Sequence, residues 1–154
     1  MGKIKFLEFL NLLGSGVLAG GEFMVCAGLM RPIAALEQIP HIKLRQALVR
    51  RLRVLTPIVF LLAASTGLAV TILEPKDSPS LVPRILGEGA LIFFISLALF
   101  GTVPINKDAL NWSPTNPPEH WILSIGRWER LDIFRCLLAI IAFSCFSFAV
   151  IAGH

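Results

Sequence analysis

Glu22 stands alone: from Phe9 to Met30 the chain carries no other charge. A bare carboxylate at the centre of a bilayer costs about 2.5–3.5 kcal/mol on insertion scales. Two routes lower that cost. The acid takes up a proton, or it pairs with a cation or a polar donor inside a helix bundle. The second route calls for a cation at matching depth, and the sequence offers candidates around its third and fourth apolar blocks. Asn106 follows the third block, and "GRWERLDIFR" leads into the fourth. On a helix Arg127, Glu129, Arg130, Asp132 and Arg135 cannot all face one way. Arg127, Arg130 or Leu131, and Arg135 follow three- and four-residue steps, with Trp128 and Asp132 on the adjoining stripe. Arg135, the deepest, is expected to reach the layer between Glu22 and Asn106. Its alternative is that of Glu129 and Arg130, which are expected only to anchor a helix end and snorkel into headgroups.

The elements that must position these groups follow from composition. The 154 residues are 55% hydrophobic and 16% charged, with a mean hydropathy of +0.75. That is too apolar for an ordinary water-soluble domain and too short for more than one folded unit. Four apolar blocks, about 6–30, 52–73, 85–103 and 133–152, reach or approach the length of roughly 17–25 residues that a membrane helix needs. Helices also satisfy every backbone hydrogen bond within each span. The expected fold is all-α, a single antiparallel four-helix transmembrane bundle.

On the first helix Glu8, Asn11, Ser15, Glu22 and Cys26 form a semi-polar stripe. Gly14, Gly21 and Gly28 recur every seven positions, and Gly16 and Gly20 make a GxxxG, so this helix is expected to pack centrally. Pro32 and Pro40 are expected to break or start helices, and the basic stretch from His41 to Arg53 to extend the second helix. Those basic residues are read as solvated determinants of orientation. "EPKDSPSLVPR" is a short turn between the second and third blocks, and "PINKDALNWSPTNPPEHW" a long connection.

The net charge of +4 and pI of about 9.3 are read as orientation signals, with no nucleic-acid partner. Arg31, Lys43, Arg45, Arg50, Arg51, Arg53, Lys107, Arg127, Arg130 and Arg135 fall on one side, against Lys3, Lys5, Lys76 and Arg84 on the other. The excess predicts cytoplasmic basic segments at 31–53 and 104–132, with both termini outside. A cleaved secretory leader is disfavoured because Glu8 and Asn11 interrupt the apolar run. The sequon at Asn111 is followed by Pro114 and faces the cytoplasm in this topology, so glycosylation is discounted. Cys26, Cys136 and Cys145 show no CxxC and read as small core residues. His41, His120 and His154 lie in connections or at the terminus, without an i, i+4 pair in a span, which argues against a metal or haem site without excluding one. Walker loop, GxGxxG and nucleophile-elbow patterns are absent.

At "VPINKDALNW", the Pro-rich linker and "RWERLDIFRCLLAIIAF", the chain resembles the DUF1772 family of four-helix integral membrane proteins, which includes the anthrone oxygenases. Pro104, Asn106, the Trp121 region, Arg127, Trp128 and Arg135 carry the likeness, and "RPIAAL" is compatible with it. Many bacterial members have an acidic-His-Pro-Ala-Arg motif near the end of the first span. Leu29 to Ala34 here reads LMRPIA, so no role passes to this chain from that His. The resemblance implies oxidation of a small hydrophobic aromatic, anthrone-like substrate by O2. Glu22 would be the base, with Arg135 and Asn106 holding an enolate oxygen and no cofactor required. Trp128, Phe23 and Phe93 would supply aromatic walls, with Arg127 also assigned to substrate binding. The alternative is a non-catalytic binding or accessory membrane protein whose polar cluster is structural. A transporter would need to oligomerise to enclose a path, and a homo-oligomer stays open in either case.

Overall fold

The computed structural model describes residues 2–153. It is all-helical, with four long helices: α1 (Gly2–Ala34), α2 (Gln38–Leu73), α3 (Leu81–Ala109) and α4 (Trp121–Ala152). Each is long and apolar enough to cross a membrane. They outrun the apolar blocks at the basic ends: α2 takes in the whole His41–Arg53 stretch, and α4 begins well before Ile133. The connection expected from Pro104 onward is therefore shorter, because Val103–Ala109 stays helical.

Two stretches depart from α geometry. Met24–Leu29 in α1 and Ala98–Thr102 in α3 are π-helical. Each ends two or three residues before a proline, Pro32 or Pro104. A proline removes one i→i−4 hydrogen bond and crowds the preceding turn, and a widened turn accommodates both. Pro57 sits inside α2, where its missing N–H leaves the Arg53 carbonyl without its helical donor.

The core is built from small side chains. Leu18, Ala19, Ala63, Ala90, Leu91, Phe94, Ala139, Ala142 and Phe146 form one buried cluster. Gly14 lets α1 approach α2 closely: a Cβ placed there would lie 3.0 Å from the backbone nitrogen of Ala63. Asn11 fastens the same contact, donating to the Ala63 carbonyl at 2.9 Å. The seven-residue pattern and the GxxxG each hold only in part, since Gly21 of the first and Gly20 of the second face open space. Large apolar side chains instead crowd the outside, among them Phe6, Phe9, Ile58, Leu61, Phe100 and Ile151.

Helix α1 packs on α2 and α4, and α4 packs along α3, while α2 and α3 touch over little of their length. At the basic end Ile42, Ala109, Trp112 and Ile125 close a second, smaller cluster. Gln46 donates there to the carbonyls of Ala109 at 3.0 Å and Trp112 at 2.9 Å. It thereby satisfies acceptors that the end of α3 leaves free. At the other end Arg84, 1% exposed, holds Glu8 at 2.5 Å and Glu74 at 3.1 Å. The loose seam between α2 and α3 is where the cavity described next is found.

Candidate functional site

Glu22 and Arg135 meet. Arg135 Nη2 donates to Glu22 Oε1 at 2.6 Å, and both residues are 7% exposed. Arg135 Nη1 donates to Asp132 Oδ1 and to Thr102 Oγ1, each at 3.2 Å. The guanidinium carbon also lies 4.8 Å from the centre of the Phe94 ring. One cation thus gathers α1, α3 and α4. Asp132 and Arg135 share a face because three residues make nearly one helical turn. Glu22 lies in the last α-helical turn before the Met24–Leu29 π segment, and Thr102 closes the Ala98–Thr102 one. Such segments occur frequently at functional sites.

A cavity of about 330 Å³ opens beside this cluster in the α2–α3 seam. Glu22, Asn106, Asp132 and Arg135 line one polar wall, Arg45, Arg53 and Lys107 add further charge to the lining, and Trp128 stands nearer the basic end. Its apolar wall includes Leu52, Pro57, Phe60, Phe94 and Leu99. Phe60 and Phe94 stack with centroids 5.8 Å apart and planes 13° from parallel. The volume is at the lower end of ligand pockets, which run to roughly 300–1,000 Å³.

The structure brings Glu22, Asn106, Trp128 and Arg135 around one cavity and leaves Phe23, Phe93 and Arg127 outside it. Phe23 and Phe93 are exposed. Consecutive helical residues point about 100° apart, so the neighbour of an inward side chain faces out. Glu22 and Phe94 point in, and Phe23 and Phe93 therefore do not. The aromatic walls are Phe60, Phe94 and Trp128. Arg127 is exposed for the same reason: Trp128 precedes Arg135 by a full heptad and shares its stripe to within about 20°.

Three participants were not assigned from sequence. Thr102 gave no signal, because a threonine in an apolar helix bonds equally well to its own backbone. Asp132 is visible in the Trp128-x3-Asp132-x2-Arg135 spacing once the stripe is centred on Trp128 rather than Arg127. Arg45 was expected to be solvated with its basic neighbours. It is instead 7% exposed, with its guanidinium carbon 4.4 Å from the Trp128 ring centre. Lys43, Arg50 and Arg51 remain exposed. The buried stripe His41, Arg45, Gln46, Val49 has helical spacing and could have been found.

Among the described residues no group of three or more His, Cys, Asp and Glu is placed to hold a metal ion. His41 packs edge-on against Trp121 and His120 lies 3.2 Å from Asp108; His154 lies outside the described residues. Fold and site define a class: a four-helix protein of membrane-spanning hydropathy with an ion-paired acid and an apolar cavity at one end. Comparisons with protein families, with curated proteins and with solved structures find no match.

Proposed function

We propose that this chain is an integral membrane protein, an antiparallel four-helix bundle, that oxidises a small hydrophobic aromatic substrate with O2 in the manner of the anthrone oxygenases it resembles. The supporting observation is that Glu22, Asn106 and Arg135 line one cavity that also presents the apolar and aromatic side chains of Leu52, Phe60, Phe94 and Leu99. In this reading the basic segments 31–53 and 104–132 face the cytoplasm and both termini face away from it.

Only Oε1 of Glu22 is engaged by Arg135, and Oε2 takes part in no hydrogen bond among the described residues. That oxygen removes a proton from the methylene carbon of an anthrone-like substrate. The charge that develops on the carbonyl oxygen is met by Arg135 Nε, which has no partner of its own, and by the Asn106 amide. The enolate carbon reduces O2 and bonds to it, and the proton held by Glu22 completes a hydroperoxide. Loss of the second methylene proton with cleavage of the O–O bond leaves a quinone carbonyl and one water. One O2 is consumed per quinone formed, and Glu22 is returned unchanged.

Purified protein given anthrone and O2 should form anthraquinone above the spontaneous rate, and Glu22→Gln should lower the enzymatic part about a hundredfold. Equal rates for wild type and variant would end the base assignment. A Soret or flavin band in the visible spectrum would replace the cofactor-free scheme.

A second reading rests on the same guanidinium. Arg135 already holds Glu22, Asp132 and Thr102, which suits a lock between helices in a non-catalytic binding or accessory protein. In that case Glu22→Gln lowers thermal stability, and no quinone forms with either protein.

A further inference from the structure

We infer that the basic end of the cavity is a binding site for an oxyanion carried on the apolar body of its ligand, with Arg45 as the cation that holds it. The inference deepens the oxygenase reading by naming the substrate class, a flat lipid-soluble acid, and rests on that reading only for the chemistry at the far end.

Arg45 carries the inference. It is more than nine-tenths buried, lines the cavity, and makes neither an ion pair nor a side-chain hydrogen bond among the described residues. Its Nε and Nη2 are buried without partners. The ring of Trp128 beneath it stabilises the charge but accepts none of its in-plane hydrogen bonds. The charges of Glu129 and Asp132 act on it from α4, yet neither carboxylate reaches it. His41, one turn earlier on the same helix, makes no hydrogen bond to it: the His41 Nε2 is itself buried without a partner among the described residues. A buried guanidinium left in this state is strongly unfavourable. A ligand oxyanion would supply the missing acceptors.

The rest of the cavity agrees in sign. Its lining holds four cations, Arg45, Arg53, Lys107 and Arg135, against two carboxylates, Glu22 and Asp132. The unpartnered donors include Arg45 Nε and Nη2, Trp128 Nε1 and Arg135 Nε. Unpartnered acceptors in the lining are fewer, Glu22 Oε2, Asn106 Oδ1 and Asp132 Oδ2, so a ligand that fills the basic end brings acceptors. Position sets its shape. Arg45 lies over Trp128, seven residues from Arg135 on α4, or about 10 Å along the axis at 1.5 Å per residue. That separation is about the length of three fused rings. Between the two cations the walls on α2 and α3 are Leu52, Thr56, Ala98 and Leu99. An acid held by Arg45 would therefore lay a flat apolar body along the cavity, with its far edge at Glu22 and Arg135.

The test is equilibrium binding, read by fluorescence anisotropy, of 2-anthracenecarboxylate, whose acid stands at one end of the three rings, and of its uncharged counterpart 2-methylanthracene. Both are measured on the full chain in phosphatidylcholine nanodiscs, with free-disc partitioning subtracted. The carboxylate is expected to bind at least about tenfold more tightly than the methyl compound, and Arg45→Gln to bring the ratio close to one. Unchanged binding of 2-methylanthracene to the variant shows that the cavity has survived the substitution. If that binding is lost, Arg45→Lys, which keeps the charge, must restore the preference. Equal affinity for the two probes in wild type, or a preference that persists in Arg45→Gln, would overturn the inference. Displacement of the carboxylate when phosphatidylglycerol is added to the disc would overturn it in favour of a lipid headgroup. Quinone formation is not part of the measurement, so the anion site can stand where the oxygenase reading falls, and the reverse.

Discussion

Glu22 and Arg135 are 113 positions apart in the chain and 2.6 Å apart in space. The contact joins α1 to α4 at a level where both residues are nearly sealed from the surroundings. Removing one partner of a buried ion pair leaves the other charge uncompensated, at about 3–5 kcal/mol. Arg135→Met is accordingly expected to destabilise the protein by that amount, because it strands both Glu22 and Asp132. Adding Glu22→Gln should recover part of the loss, with a coupling of about 1–3 kcal/mol. Unfolding curves in one detergent for the four proteins of this cycle measure it. Additive losses would mean that the pair does not act as a unit.

Arg84 is the counterpart at the opposite end. It holds Glu8 on α1 and Glu74 just beyond α2, so three segments meet on it. Arg84→Met should lower stability by about 3–5 kcal/mol while leaving probe binding in the cavity intact, since none of the three lines it. Thermal unfolding and 2-anthracenecarboxylate binding, measured side by side, separate the two effects.

The glycines divide into two groups. A Cβ at Gly87 would fall 2.7 Å from the Phe146 ring, and one at Gly14 would meet the backbone of Ala63. Gly87→Val and Gly14→Val should each cost about 1–3 kcal/mol through overpacking. Gly20→Ala and Gly21→Ala meet no neighbour and should stay within about 0.5 kcal/mol of wild type. The same unfolding assay decides between this pattern and a uniform glycine seam, in which all four would be damaging.

Leu99 lines the cavity and is half exposed on the α2–α3 seam. An indole there would occupy the space that a ligand needs. Leu99→Trp is expected to weaken 2-methylanthracene binding about tenfold, or about 1.4 kcal/mol, with little change in the unfolding midpoint. Phe23→Ala and Phe93→Ala, outside the cavity, should leave binding unchanged. A loss with either phenylalanine and not with Leu99→Trp would place the ligand elsewhere.

Four long apolar helices, the polar stripe of α1 and the isolation of Glu22 follow from the sequence itself. Hydropathy and spacing are properties of each segment, and a lone acid in an apolar run requires a partner wherever the run comes to lie. The nature of that partner was legible as well, since Arg135 abuts the last apolar block at suitable depth. What only the tertiary structure decided is rotation: which face each helix turns inward, and hence that Phe94 rather than Phe93, and Trp128 rather than Arg127, meets the cavity. Likewise the burial of Arg45 within a run of exposed basic residues, and the capture of Arg135 by Thr102, depend on neighbours distant in sequence. The physical reason is that a helix's pattern fixes angles only relative to its own axis. The phase between helices is set by close packing at small residues such as Gly14 and Gly87, and by the π segments, which shift the face that follows them.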